Sequence, residues 1–177
     1  MAPVSFTTDT VNGALVVTVT CPNYVESGMV SIWNGSTFYN ALYTGQNPTV
    51  IMDNVLPGQY SISVSASATG YRSATVSRRV IAHASTQMIL PAFATVIEEE
   101  AFSGSAAVEI VLPDQCTTIG DGAFANCTQL RMIYMPDSVV NIAGNAFNGS
   151  EKVIFLCESD NAAAAYARNK GIDYIIE

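Results

Sequence analysis

Two hydrophobic rhythms divide this chain. From residue 3 to about 82 apolar and polar residues alternate, most clearly in Tyr60-Ser-Ile-Ser-Val-Ser-Ala66, where Tyr60, Ile62, Val64 and Ala66 share one face and three serines the other. Leu15, Val17, Val19 and Cys21 repeat the pattern. Shorter runs lie at Val4–Thr7, Met29–Trp33, Thr37–Tyr43, Thr49–Val55 and Ala74–Ile81, which makes about seven strands. Turn residues separate them at Asn12-Gly13, Asn34-Gly35, Gly45, Pro57-Gly58 and Gly70. With no helical period between them, the strands predict an antiparallel two-sheet sandwich.

From Leu90 to Cys157 the rhythm becomes a repeat. Pro recurs at 91, 113 and 136, Ile at 97, 119 and 142, and Ala-Phe at 101/102, 123/124 and 146/147, a period of 22 then 23 residues. A unit of that length cannot bury a core alone, so the spacing predicts stacked coils with apolar columns. The columns are Ile97–Ile119–Ile142, Phe102–Phe124–Phe147 and Val108–Leu130–Val153. Two residues past each Phe stands Gly104, Asn126 or Gly149, the residue types that accept positive φ. The segments before each Pro, and Val153–Cys157, alternate and predict a small parallel sheet. Pro, lacking an N–H, ends each strand, and Ala-Phe is expected to make a short helical turn on the opposite side. Behind the repeats, Ser159-Asp160 as N-cap, Ala162 to Ala165, Arg168, Lys170 and Gly171 predict a helix over 161–170, then a strand over 172–177, together a structural cap.

Composition narrows the function classes. A content of 49% apolar and 12% charged residues builds packed cores. No run of 18 apolar residues is present, and MAPVSFTT is not read as a signal peptide. Asp9, Glu26 and Asp53 balance Arg72, Arg78 and Arg79 before residue 85, so the net charge of -8 belongs to the repeats. That sign repels phosphate backbones and anionic lipid, which excludes nucleic acid and membrane insertion from the expected partners.

Candidate chemistry is sparse. His83, the only histidine, has no ligand cluster beside it in sequence, and Glu98-Glu99-Glu100 lacks the alternating oxygen spacing of a calcium loop. Gly120-Asp-Gly122 is a turn without the basic residue of a phosphate cradle. No catalytic, cofactor or metal site is therefore expected. In the repeat register no two of Cys116, Cys127 and Cys157 share a column, and Cys21 lies outside the repeats, so buried free thiols are expected. Asn34, Asn126 and Asn148 match N-x-S/T but read as turn chemistry.

Two resemblances follow from these residues. Ile119-Gly-Asp-Gly-Ala-Phe-Ala-Asn-Cys-Thr-Gln-Leu-Arg-Met-Ile-Tyr-Met-Pro-Asp-Ser-Val139, with its recurring I-G-x-x-A-F-x-x-C-x-x-L pattern, resembles the BspA-type leucine-rich repeat; the flanking repeats place Glu98 or Ala143 for Gly and Ser105 or Ser150 for Cys. Leu56-Pro-Gly-Gln-Tyr60 and the strand after it resemble the tyrosine corner of a fibronectin type III domain. Trp33 falls later than that family's usual Trp and the turn is one residue short, so other immunoglobulin-like sandwiches share the resemblance. The expected organisation is two domains: an all-β sandwich over 1–84, then an α/β leucine-rich-repeat solenoid over 85–177 with a C-terminal helix-strand cap.

The repeat resemblance implies a cell-surface or extracellular protein with a binding or adhesion role and no catalytic residues to carry over. Alternation puts Glu109, Val111, Met132, Tyr134, Ile154 and Leu156 on the outer face of the repeat sheet, with Arg131 at its edge, as an exposed apolar stripe for a protein partner. The alternative is a carbohydrate-binding module of a surface glycan system, with Trp33, Tyr39 and Tyr43 stacking on sugar rings.

Overall fold

A computed structural model describes residues 4–11, 14–35, 37–45, 48–53, 55–70, 72–84 and 87–177. The expected Asn12-Gly13 turn lies outside the described residues. The described residues are mostly β with one short helix, and the chain divides into two compact units, Met1–Ser85 and Thr86–Glu177.

The first unit holds β1 (Ser5–Val11), β2 (Ala14–Thr20), β3 (Ser27–Trp33), β4 (Phe38–Thr44), β5 (Thr49–Met52), β6 (Gly58–Ser67) and β7 (Ala74–Ala82). They pair antiparallel in two sheets, β1-β2-β5 and β4-β3-β6-β7. Alternate residues of both enter one buried cluster: Leu15, Val17 and Val19 from β2, Val30 and Ile32 from β3, and Tyr60, Ile62 and Val64 from β6. The buried Tyr60 hydroxyl donates to the Leu56 carbonyl at 2.9 Å, pinning the turn that leads into β6. Burial pushes the Tyr60 hydroxyl up to about 12.

The repeat unit is a solenoid. Its elements are β8 (Met88–Ile89), β9 (Val96–Ile97), β10 (Glu109–Val111), β11 (Thr118–Ile119), β12 (Met132–Met135), β13 (Asn141–Ile142), β14 (Ile154–Cys157), α1 (Ala162–Lys170) and β15 (Asp173–Ile176). A five-stranded parallel sheet, β15-β14-β12-β10-β8, forms one side, and a second parallel sheet, β13-β11-β9, another. The second sheet carries the isoleucine column, with Ile119 in register with Ile97 and Ile142.

The third side is the phenylalanine column. Phe102 and Phe124 stack with centroids 5.4 Å apart, and Phe124 and Phe147 5.1 Å apart. The backbone beside them corrects the expected helical turn. Alternate N–H groups close turns within the coil, as Ser103 N to Glu100 O and Ser105 N to Phe102 O, while those between them bond to the next coil, as Phe102 N to Ala123 O and Gly104 N to Ala125 O. Phe124 N and Asn126 N repeat the pattern onto Ala146 O and Asn148 O. A helix would keep all these donors inside one coil; here half of them tie coil to coil. Gly104, Asn126 and Gly149 have φ of 70, 57 and 78°, which turns the chain after each Phe.

The Cys-or-Ser slot has a physical reason. Cys127 Sγ lies 3.0 Å from the Phe102 carbonyl and Ser150 Oγ donates to the Phe124 carbonyl at 2.6 Å, each reaching one coil back. Ser150 Oγ also accepts from Cys127 N at 2.8 Å. Either residue can offer its X–H to that carbonyl, which is why the two substitute for one another.

Helix α1 caps the stack with Ala163, Ala164 and Ala167 buried. Its N-cap is Asn161, whose Oδ1 accepts from Ala164 N, and Gly171 ends it at φ 70°. This corrects the expected Ser159-Asp160 cap: Ser159 donates to Asp137 Oδ1 and Asp160 accepts from Arg168, so neither is free to cap.

Phe124, fully buried with a ring on each side, is expected to cost about 3–5 kcal/mol when truncated in Phe124→Ala. A loss below about 1 kcal/mol in urea denaturation would be the behaviour of an exposed side chain. Ser150→Ala, which strips a buried hydroxyl from two backbone groups, should cost about 1–3 kcal/mol, and Ser150→Cys less. Equal losses for Ala and Cys would show that the hydrogen bond does not govern the slot.

Candidate functional site

The outer face of the five-stranded sheet carries two side-chain rows fixed by strand register. One runs Glu109, Met132, Ile154, Asp173; the other runs Ile89, Val111, Tyr134, Leu156, Ile175. Neither Met132 nor Leu156 belongs to the buried cluster of the repeat core, consistent with an outward side chain.

Exposure along these rows departs from the expected open stripe. Met132 is 0%, Leu156 4% and Glu109 3% exposed, so these three are buried. Met132 and Leu156 stand in the interior of their rows, with a neighbour one strand spacing away on either side, while Glu109 heads its row. Glu109 Oε1 also accepts from Gln87 Nε2 at 2.6 Å, which gives its buried carboxylate a partner. Val111, Tyr134 and Ile154 are half-buried. Arg131 bonds the carbonyls of Thr128 and Leu130 with Nη1, so its guanidinium holds its own turn.

The accessible part of the face is its β8 side. Ile89, 71% exposed, lies beside Val111, and a hollow of about 320 Å³ opens among Ile89, Ala92, Val111, Pro113, Asp114 and Tyr134. Sequence reading missed Ile89 because the repeats were counted from Leu90, although it stands 22 residues before Val111, one full period. Tyr134 Oη donates to Glu158 Oε1 at 2.5 Å, and Glu158 Oε2 accepts from Asp137 N at 2.9 Å. The Glu158 bond and then burial push the Tyr134 hydroxyl well above its ordinary value, with the charges of Glu158, Asp114 and Glu177 adding to the rise. The hollow on this apolar row thus runs from an exposed isoleucine to a fixed phenol with three carboxylates near it.

In the first unit the three expected aromatics part company. Trp33 is exposed, Tyr39 is half-buried against the core, and Tyr43 is buried. Tyr43 lies opposite Gly28 and donates to the Ser65 carbonyl at 2.7 Å. A Cβ on Gly28 would sit 2.2 Å from the Tyr43 hydroxyl oxygen, so the glycine is what admits the ring. Burial, with Cys21 nearby, pushes that hydroxyl up to about 12. Tyr43 is therefore a core residue and not a sugar platform.

Among the described residues no group of three His, Cys, Asp or Glu could hold a metal ion, and no helix is long and apolar enough to cross a membrane. Glu98, Glu99 and Glu100 are all exposed. Asn126 takes its turn at positive φ, and Asn34 Oδ1 accepts from Thr37 N.

Short parallel strands, two per coil, with a repeated Ala-Phe turn make up leucine-rich-repeat-like coils. Residues 82–161 match the family model described as BspA type Leucine rich repeat region (6 copies). No curated protein matches. Among solved structures, the fn3 domain of human collagen alpha-1(XX) chain overlaps 46% of this chain and 79% of its own, with 17% identity and a TM-score of 0.39. A leucine rich cell surface protein from Faecalibacterium prausnitzii A2-165 overlaps 64% of this chain at 20% identity and TM-score 0.34, and this chain spans 37% of it. A pectate lyase from Pectobacterium carotovorum overlaps 88% of this chain and 58% of its own, at 11% identity and TM-score 0.39. Overlaps of this depth establish no shared function.

All four cysteines are buried thiols outside any disulfide. Burial pushes the Cys157 thiol up to about 11, with Asp137 and Asp160 adding to the rise, and burial raises Cys116 as well. Native protein at mildly alkaline pH should therefore leave its thiols unmodified by a thiol reagent, because all four are buried and the raised Cys116 and Cys157 also lack thiolate. Denatured, unreduced protein should titrate four. A count of two or none would show disulfides.

Proposed function

We propose that the repeat unit is a non-enzymatic docking module of a cell-surface or secreted protein, and that it takes a protein segment along the Ile89–Val111–Tyr134 row. The observation that carries this is the hollow beside that row, with an exposed aliphatic side chain at one end and a hydrogen-bonded phenol at the other. The repeat type, which by resemblance belongs to surface proteins, supports the setting.

The chemistry also describes the partner. Tyr134 feels the charges of Glu158, Asp114 and Glu177, and residues 85–177 carry twelve acids against four bases. An apolar patch inside a negative field favours a segment with one aliphatic or aromatic anchor flanked by Lys or Arg. Tyr is the anchor on this side, since its ring offers area while its tip is already paired.

Selection of a displayed random-peptide library on the full chain should enrich sequences with Lys or Arg beside an apolar residue. Ile89→Glu should weaken the selected peptides by about tenfold or more and leave the melting temperature nearly unchanged, because Ile89 packs on nothing deep. Peptides that bind Ile89→Glu as tightly as the original chain, or that are acidic, would move the docking site off this face.

A further inference from the structure

The outer face of the four-stranded sheet in the first unit has a different chemistry. Register aligns Phe38, Trp33, Ser61 and Arg79 across β4, β3, β6 and β7, then Asn40, Ser31, Ser63 and Ser77, then Leu42, Met29, Ser65 and Thr75. Exposed strand positions usually carry β-branched or aromatic side chains. Here the middle of the sheet is a bed of hydroxyls, and its one concentration of rings is at the Trp33 end. Trp33 is 53% and Phe38 61% exposed, directly opposite one another. One exposed ring is ordinary; two side by side are not, and one of them, Trp33, borders a hollow.

That hollow, about 280 Å³, is bounded by Trp33, Asn34, Gln59, Ser61 and Arg79. Its lining brings together an indole, a hydroxyl, two side-chain amides and a guanidinium. Arg79 is the one formal charge among the lining residues. By strand spacing it stands roughly 10 Å across the sheet from Trp33.

We propose that this hollow binds a carboxylate-bearing pyranose, a uronic acid unit of an acidic polysaccharide. The C–H face of a pyranose ring is apolar and faintly positive, which complements the negative face of an indole. Gln59, Asn34 and Ser61 supply the donors and acceptors that ring hydroxyls need, and the planar Arg79 fork pairs a carboxylate with two parallel bonds. A nucleotide would also stack on Trp33. Nucleic acid is the poorer fit because affinity there comes from several cations neutralising several phosphates, and this hollow has one. All of its lining residues belong to the first unit.

The chain has a single tryptophan, so emission excited at the red edge, where its tyrosines do not absorb, reports on this hollow alone. A galacturonic acid oligosaccharide should change the emission of the full chain saturably, and a cello-oligosaccharide at equal concentration should not. In calorimetry, Trp33→Ala and Arg79→Ala should each weaken the acidic sugar by about tenfold or more. Leu42→Ala, at an 82% exposed position elsewhere on the same face, should bind as the unaltered chain does. Absence of binding to the acidic oligosaccharide would overturn the proposal. So would a neutral sugar or a mononucleotide bound at least as tightly, or an Arg79→Ala variant with a native melting temperature and unchanged affinity.

Discussion

Coil-to-coil hydrogen bonding along the Phe column is the constraint on which the repeat unit depends. One coil of about 22 residues has no interior of its own; its Ile and Phe become buried only when the next coil supplies the other side. Donation from Phe102 N to Ala123 O and from Phe124 N to Ala146 O sets the axial step. Ring stacking at 5.4 and 5.1 Å then follows from that step. The same step sets the register of the outer rows, so the position of Tyr134 beside Val111 is inherited from the turn side of the molecule.

Stacks of this kind must end, and the chain ends this one with chemistry unlike the repeats. Asp137 Oδ1 accepts from both Ser159 Oγ and Asn161 Nδ2, which hold its carboxyl below the ordinary range and tie a repeat loop to the start of α1. Tyr166 from the helix approaches the rings of Phe147 and Phe155, both 6.2 Å away, and so continues the aromatic column into the cap. Glu158 sits at the same junction, bonded to Tyr134 and Asp137 N. The cap therefore shields the last coil and also fixes the phenol of the candidate docking row.

Much of this was legible in the sequence because it repeats. Three equivalent positions gave the Ile and Phe columns and the positive-φ slot, and strict alternation placed the seven strands of the first unit. What stayed hidden has physical reasons. β9, β11 and β13 are two residues each, too short for any period to show. The turn ladder looks helical in sequence because Ala favours helices, while its N–H groups alternate between their own coil and the next. Alternation fixes which way Met132 and Leu156 point but not how much of them neighbours cover. Tyr43 was misread because its burial depends on Gly28, fifteen residues earlier, a pairing that only the β3–β4 register brings together. Cys127 and Ser150 were read as stacked but not as donors, since hydrogen bonds one coil back have no local signature.

Charge explains how an apolar row can stay open on this surface. Ile89 and its hollow would favour self-association on hydrophobic grounds alone. A second copy of the chain, however, brings the same Asp114, Glu158 and Glu177 to the contact, and like charges facing across an apolar patch oppose the burial that would drive pairing. A basic segment meets the same field with the opposite sign. In the proposed docking the carboxylates would act as a filter on what covers the row, while the Ile89–Val111–Tyr134 contact would supply the area. The first unit, with three acids and three bases, has no such field, so for the acidic sugar proposed at its sheet face one guanidinium, and not a surface potential, would decide the choice of ligand.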